Sequence, residues 1–247
     1  SVYQIGGTFN NMVMQFSASV SGVLMPRITG MVVKDASPKQ LSDLFIRVGR
    51  LQYLVIALIA SGFTAFGQAF IELWAGPDYG TSYWVTVLTL FPLCIPLIQN
   101  TGYQIIMATN RHRFRAVVYL IIAIANVIST WLLVPHLGVI GAALCSCLSY
   151  LAGQGIAINL YYYKVIHLDI PNFWKQIVKM SAIPAVMVVL AILLQNVVSF
   201  DNWFIFFVSV FVYTCIYGIA MYLFAMNEYE KEIVLVPLKK ILRLMHK

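Results

Sequence analysis

Long apolar stretches recur along this chain, and each is close to the length of one membrane crossing. A helix rises 1.5 Å per residue, so about 20 apolar residues cross the hydrocarbon layer of a bilayer. Seven stretches reach this length, and we predict a spanning helix in each: 2–26, 46–73, 83–109, 116–135, 138–162, 177–196 and 203–225. The predicted fold class is therefore an all-α polytopic membrane protein with about seven transmembrane helices.

The connections between these spans are short, and two of them carry amphipathic patterns. Pro135-His136-Leu137-Gly138 separates the fourth and fifth spans, and so short a link predicts a tight turn and an antiparallel pair of helices. After Ser37, apolar residues at helical spacing predict a short interfacial helix leading into the second span: Leu41, Leu44, Phe45 and Val48. A similar interfacial helix is predicted around residues 168–176.

Composition places these helices in lipid rather than in a soluble core. Of 247 residues, 61% are hydrophobic and 10% are charged, with a mean hydropathy of +0.83. Soluble domains carry about 25% charged residues. A formal net charge of +7 would favour nucleic acid as the partner of a soluble protein. Here the placement of the charges gives a different explanation, and no nucleic-acid partner is predicted.

All sixteen lysines and arginines fall on one side of the predicted topology. They occupy four segments: 27–50, 111–115, 164–179 and 231–247. The alternate connections carry none: 74–82, 135–137 and 197–202. Because positive residues beside spanning helices stay in the cytoplasm, we predict an inward-running first helix and a cytoplasmic C-terminus.

The two ends of the chain carry further expectations. Residues 226–247 suit a basic amphipathic helix on the anionic inner leaflet, with a frayed, solvated tail as the alternative. The chain opens without Met or a basic leader. We therefore expect it to be the C-terminal portion of a longer protein.

Polar side chains repeat along one face of the first predicted helix. They are spaced three or four residues apart: Gln4, Thr8, Asn11, Gln15 and Ser19. Since polar groups are costly in lipid, a stripe of this length predicts the wall of a hydrated substrate cavity. The alternative is a tight seam between two helices.

The third predicted helix carries two prolines, Pro92 and Pro96, and each removes a backbone hydrogen bond and bends the helix. Interrupted helices often line transport pathways and supply hinges. We therefore predict a gating hinge at these prolines and place the amides that follow in the substrate cavity: Gln99, Asn100 and Gln104. A static kink is the alternative.

Groups for catalysis or metal binding are missing from the predicted spans. No Asp, Glu, Lys, Arg or His occurs in the middle of a span, and the four cysteines fit no zinc or disulfide spacing. We therefore predict no enzyme activity, metal or cofactor, and leave open a coupling to H+ or Na+. Small residues in the fourth and fifth spans favour close helix packing: Gly138, Gly141, Ser146, Gly153 and Gly155.

Several runs of sequence resemble a known family. Residues 107–113 (Met-Ala-Thr-Asn-Arg-His-Arg), Asn126 and residues 131–144, which include Leu-Gly-Val-Ile-Gly-Ala-Ala, resemble the C-terminal half of polysaccharide-biosynthesis flippases. Residues 25–28 (Met-Pro-Arg-Ile) are similar to the end of a helix in that family. These O-antigen and oligosaccharide-lipid exporters share a superfamily with multidrug (MATE) exporters and the lipid II flippase.

The resemblance implies a two-bundle, MATE-like transporter in the bacterial plasma (inner) membrane. Residues 1–162 would form the C-terminal bundle without its first helix, residues 163–225 two additional helices, and residues 226–247 the cytoplasmic tail. The implied function is a flippase that moves undecaprenyl-pyrophosphate-linked oligosaccharide by alternating access. The implied partners are that lipid-linked oligosaccharide, membrane lipids and other polysaccharide-assembly proteins.

Some relatives hold pyrophosphate with central cationic residues, which this chain lacks. The nearest candidates lie at the predicted cytoplasmic mouth: Arg27, Arg47 and Arg50. Their alternative role is as topology anchors.

Three other functions stay open at this point. A drug or ion antiporter shares the same fold. A membrane glycan polymerase or acyltransferase would usually carry a large external loop or a catalytic His/Asp/Arg group, and neither is present. A purely structural membrane protein would not need the polar stripe.

Overall fold

The computed structural model describes residues 2–22, 25–34, 36–195, 200 and 202–233, and these form helices with short connections and no strand. In chain order the helices are α1 Val2–Gly22, α2 Met25–Val33, α3 Pro38–Ala75, α4 Thr81–Ile98, α5 Asn100–Ala108, α6 His112–Tyr150, α7 Asn159–Lys164, α8 Ile170–Gln195 and α9 Trp203–Phe224. A 3-10 turn, Pro77–Tyr79, precedes α4, and a π-helical stretch, Leu151–Ile158, joins α6 to α7. Residues 228–233 form a further helical segment.

Five segments of the described chain are long and apolar enough to cross a membrane: Pro38–Ala75, Thr81–Ile98, Arg113–Lys164, Ile170–Gln195 and Trp203–Phe224. The third has 52 residues, and at 1.5 Å per residue it would reach about 78 Å as one straight helix. It is broken at Gly138, so it supplies two crossings. α1 is 21 residues long but is more polar than these segments. The break therefore raises the five segments to six crossings, and α1 as the seventh stays a prediction.

The fourth and fifth predicted spans form an antiparallel hairpin around Gly138, as the short link predicts. Gly138 has φ 57° and ψ −140°, a backbone conformation that side-chain-bearing residues rarely adopt. The rings of Phe114 and Tyr161 stack with centroids 4.2 Å apart at the open end of this hairpin. Midway along the hairpin, Asn126 contacts Ser146 at 3.4 Å. The sequence midpoint of each pair lies close to Gly138. Such a shared midpoint shows that the two helices run antiparallel.

The hairpin helices approach closely where glycine removes a side chain. A Cβ on Gly153 would overlap the side chain of Ile122 on the facing helix. The predicted role of small residues in packing is therefore confirmed at this position.

α3 is a single helix of 38 residues and begins well before the predicted second span. Ser37 caps it: its hydroxyl accepts the Gln40 backbone N–H at 3.3 Å, and the Gln40 side chain accepts the Ser37 N–H at 2.9 Å. The apolar positions expected on a membrane surface are instead buried in the bundle: Leu41, Leu44, Phe45 and Val48. A separate interfacial helix is wrong here, because these residues are the first turns of α3 and pack against protein.

The segment predicted as a second interfacial helix also belongs to the bundle. α8 starts at Ile170, and the ring of Phe173 is fully buried, 4.7 Å from the ring of Phe45. The first turns of α3 and of α8 therefore bury apolar side chains against each other.

The described basic segments meet at one end of the bundle, which we call the basic end. Arg50 of α3 donates to Gln176 of α8 at 3.2 Å, and Arg111 donates to the carbonyl of Val165 at 3.1 Å. Distant basic segments therefore share one end, in agreement with the predicted charge asymmetry. The side of the membrane that this end faces stays a prediction.

The opposite end is built from aromatic residues. Tyr83 of α4 donates to the carbonyl of Thr64 at 2.8 Å, and the rings of Phe70 and Trp203 lie 6.2 Å apart. Three tryptophans here are exposed: Trp74, Trp84 and Trp203. Tryptophan is enriched where membrane meets water, so this end has the character of a membrane interface.

α8 and α9 pack on α3 through an apolar cluster distinct from the main core. This second cluster includes Leu54, Phe66, Met180, Met187, Tyr213 and Tyr217. The predicted division into a bundle and two additional helices stays a prediction. The predicted tail begins within the described segment 226–233, and residues 234–247 lie outside the described residues.

Candidate functional site

α1 has two polar faces, and the structure gives them different surroundings. One face packs on α4: Asn10 donates from Nδ2 to Oγ1 of Thr89 at 2.7 Å, and Ser17 donates to the carbonyl of Leu97 at 3.2 Å. Val13, between them, is buried. This face is the helix seam.

The predicted stripe lies on the other side of α1. Its members precede the seam residues by two positions, a rotation of about 200° around a helix with 3.6 residues per turn. All four with described side chains are exposed: Gln4, Thr8, Asn11 and Gln15. The Ser19 side chain lies outside the described part of the structure. Since the seam uses different residues, the stripe is left as an open polar surface along α1.

A depression of about 210 Å³, which we call the polar depression for the amide and hydroxyl groups among its apolar residues, includes one member of this stripe, Asn11. Its lining comes from α1, α4 and the hairpin: Tyr3, Gly7, Asn10, Asn11, Met14, Val85, Thr89, Leu93, Ser146 and Tyr150. Tyr3 and Ser146 bring their hydroxyls to 3.4 Å. The Asn10 Oδ1 atom is buried and has no hydrogen-bond partner among the described residues. A hydroxyl group entering the depression would supply that missing donor.

Sequence reasoning missed most of this lining. Thr89, Ser146 and Tyr150 each look like an isolated polar residue in an apolar helix, and Thr89 lies 57 and 61 positions before the other two along the chain. Asn10, beside Asn11, was the one available signal.

The proline-bearing helix is broken, as its sequence predicts. α4 ends at Ile98 and α5 begins at Asn100, with Gln99 at φ −103° and ψ 15° between them. Pro92 is buried and Pro96 is half-buried within α4. The break therefore follows Pro96 by three residues, and its use as a gating hinge stays a prediction.

Gln99 does not join the stripe. It is buried and forms a reciprocal amide pair with Asn159, with Nε2 to Oδ1 at 2.8 Å and Nδ2 to Oε1 at 3.3 Å. The indole of Trp174 donates to the same Asn159 oxygen at 2.9 Å. Both ends of the Gln99 amide are thus used in packing, which corrects its predicted place in an open cavity. Asn100 and Gln104 are half-buried on α5.

Arg50, one of the three predicted phosphate ligands, is committed to an ion pair. Its Nε and Nη2 atoms donate to the two carboxylate oxygens of Glu230 at 2.6 and 2.8 Å. Further bonds reach Gln176 at 3.2 Å and the Ala225 carbonyl at 3.0 Å. Four of the five N–H donors of this buried guanidinium are used within the protein, which corrects its predicted position at an open mouth.

The other two predicted ligands differ from Arg50. Arg47 is exposed, with its guanidinium carbon 4.5 Å from the ring centre of Tyr229. The side chain of Arg27 lies outside the described part of the structure. A phosphate-binding role stays a prediction for both.

A larger apolar cavity of about 510 Å³ opens between α3, α4 and α8. Phe91 and Pro184 line it, and Tyr53 and Ser181 share a hydrogen bond of 2.5 Å at its wall. Its lining suits hydrocarbon rather than sugar. Among the described residues, no three His, Cys, Asp or Glu side chains converge as a metal site.

The helical architecture, the apolar spanning segments and the aromatic interface define the class: a polytopic α-helical membrane protein. Within it, the chain is 22% identical over 193 residues to the uncharacterized membrane protein EpsK of Bacillus subtilis (strain 168), over 77% of this chain. The chain spans 38% of the length of that curated relative. No protein-family model matches the chain, and no solved structure matches it significantly.

Proposed function

We propose that this chain is the C-terminal half of a flippase that moves undecaprenyl-pyrophosphate-linked oligosaccharide, such as an O-antigen or other surface-polysaccharide repeat, across a bacterial plasma membrane. The observation that carries the proposal is the exposed polar face of α1. Gln4, Thr8, Asn11 and Gln15 stay exposed although a different face of the same helix forms the seam. A helix that served only packing would have no reason to keep amides on its open side.

The chemistry of this face suits sugars. Amide and hydroxyl groups both donate and accept hydrogen bonds, as sugar hydroxyls do. The depression beside the stripe adds Tyr and Ser hydroxyls and the unpartnered Asn10 Oδ1. We propose that the sugars contact this surface while the lipid tail stays in the bilayer.

In the proposed mechanism, this bundle and a second one rock about a shared cavity, which opens alternately to each side of the membrane. The stripe of α1 would form this bundle's wall of that cavity. The break between α4 and α5 would accommodate the bending. The basic end, and with it the C-terminus, would face the cytoplasm, where the lipid-linked substrate is collected. H+ or Na+ coupling stays open.

The test replaces Asn11 and Gln15 together with Leu in the full-length protein. We expect the surface glycan to fall by about tenfold or more at wild-type protein level, since two hydrogen-bonding amides are lost from the cavity wall. The matched control is Gln68→Leu, because Gln68 is an exposed amide on α3, away from the stripe. Normal export by the double variant would refute the cavity role. Transport of a cationic drug, without glycan export, would favour the antiporter instead.

A further inference from the structure

A second arginine at the basic end, Arg115, lies between tyrosine rings, whereas Arg50 is paired with a carboxylate. The guanidinium carbon of Arg115 lies 4.1 Å from the ring centre of Tyr103 on α5 and 5.0 Å from that of Tyr119 on α6. Its Nη2 atom donates to the Tyr119 hydroxyl at 2.6 Å. Arg115 is half-buried. We call these three residues the Arg115 cradle.

The cradle holds a positive charge without a carboxylate. The ion pairs among the described residues are Arg50–Glu230 and Lys231–Glu228, so Arg115 has no acidic partner there. A guanidinium has five N–H donors, and Tyr119 accepts from one nitrogen. The tyrosine rings contact the guanidinium through their faces. Donors on its edge are therefore left for another acceptor.

The charged side chains near the open end of the hairpin are also positive. Arg111 and Lys164 lie at the same open end of the hairpin, where Arg111 donates to the Val165 carbonyl. Asp169, which follows Lys164 by five residues, accepts the backbone N–H of Asn172 at 3.2 Å. A partly desolvated cation among other cations is unfavourable unless an anion joins it. The electrostatics therefore favour a bound anion at this place.

One tyrosine of the cradle also interacts with a residue that lines the polar depression. Tyr119 is close enough to Tyr150 to interact with it electrostatically, and Tyr150 lines the polar depression. A ligand with a phosphate at one end and sugars at the other could thus touch both. Planar guanidinium groups bind phosphate oxygens through two parallel N–H bonds.

We propose that the Arg115 cradle binds the phosphate group of a membrane lipid. Resting on the proposed function, this phosphate is the diphosphate that links the lipid to its oligosaccharide. The cradle then takes the role that sequence reasoning gave to Arg27, Arg47 and Arg50.

The first experiment uses purified full-length protein in phosphatidylcholine nanodiscs, titrated with farnesyl diphosphate. We expect saturable binding that Arg115→Gln weakens by about tenfold or more, equivalent to about 1.4 kcal/mol. Arg115→Lys should weaken it to a similar extent, since an ammonium cannot make the two parallel bonds. Arg113→Gln is the matched control, because Arg113 is exposed two residues away on the same helix. Unchanged farnesyl diphosphate binding in Arg115→Gln, or an equal loss in Arg113→Gln, would overturn the assignment of the cradle to the diphosphate, and retention of both lipids by Arg115→Gln would overturn the cradle altogether.

A second experiment separates the two sources of phosphate. Nanodiscs containing phosphatidylglycerol, without farnesyl diphosphate, are analysed by native mass spectrometry for retained phosphatidylglycerol. Loss of retained lipid in Arg115→Gln, with farnesyl diphosphate binding unchanged, would keep the cradle as a headgroup site and overturn its link to the diphosphate. Thermal unfolding checks that each variant is folded.

The cradle and the proposed function fail in different ways. Normal glycan export by the Asn11/Gln15 variant, together with Arg115-dependent diphosphate binding, would remove the sugar cavity and leave the cradle. Lost export in that variant, together with diphosphate binding that does not depend on Arg115, would keep the sugar cavity and remove the cradle.

Discussion

The buried ion pair between Arg50 and Glu230 gives the sharpest test of how this fold is held together. It joins the start of α3 to the segment that follows α9, 180 residues later. The Arg50 side chain is 9% exposed and that of Glu230 is 0% exposed. Replacing Glu230 with Leu leaves the guanidinium inside the protein without its counter-charge.

The magnitude follows from two independent estimates. Removing one partner of a buried pair destabilises by about 3–5 kcal/mol. Glu230 accepts two charge-assisted bonds from Arg50, and at about 1.5–3 kcal/mol each these sum to about 3–6 kcal/mol. Glu230 also accepts the backbone N–H of Asn227 at 2.9 Å, so the variant loses this half of a capping box, whereas the Asn227 side chain can still accept the backbone N–H of residue 230.

Thermal and denaturant unfolding of the full-length protein in detergent provides the assay. For a domain of this size, about 3–5 kcal/mol corresponds to a fall in Tm of about 6–20 °C. The matched control is Glu228→Leu, because Glu228 is 90% exposed and pairs with Lys231 at the surface. That variant should unfold close to the wild type.

A double-mutant cycle isolates the pair from other effects. Arg50→Leu with Glu230→Leu removes both charges, so the double variant should be less destabilised than the sum of the single variants, by about 2 kcal/mol or more. Additive losses would refute the reasoning, as would equal stability of the Glu230 and Glu228 variants.

Three further predictions address the hairpin, the amide cluster and the topology. Gly138→Ala should destabilise by about 1–3 kcal/mol because of its positive φ, whereas Gly218→Ala, in the middle of α9, should be neutral or stabilising; chemical denaturation measures both. Asn159→Leu should lower the unfolding free energy by about 1–3 kcal/mol, since it leaves the buried Gln99 amide and Trp174 N–H unpaired; wild-type stability would count against the cluster. Single cysteines at Asp78 and Lys175 should react with an impermeant maleimide from opposite sides of the membrane, and labelling from one side would contradict the topology.

Local features of the sequence predicted the hairpin and the broken helix well. Pro135 and Gly138 act on their own backbone, and Pro96 acts on the turn around it, so neither needs a distant partner. The burial of the first turns of α3 in the bundle could not be predicted in this way. The apolar face around Phe45 has the same pattern whether it meets a membrane surface or protein, and the partner that decides, Phe173, is far along the chain.

The candidate site also contains features that local sequence could not predict. Asn11 and Gln99 are both amides in apolar helices, yet one is exposed and the other is locked to Asn159, 60 residues away. Arg50 and Arg115 are both arginines at the basic end, yet one is neutralised by Glu230 and the other lies between tyrosines. Residue type and spacing are alike within each pair, so sequence reasoning could not separate them.

By itself the sequence determined that the chain is a polytopic membrane protein and where its helices break, and it predicted the shared end of the basic segments that the structure describes. Hydropathy, proline, glycine and charge act on segments of about 20 residues or fewer, and these are read directly along the chain. Only the tertiary structure decided which polar groups are committed to packing and which stay open. That choice depends on hydrogen-bond partners from distant helices, because a buried polar group is stable only where such a partner lies within reach.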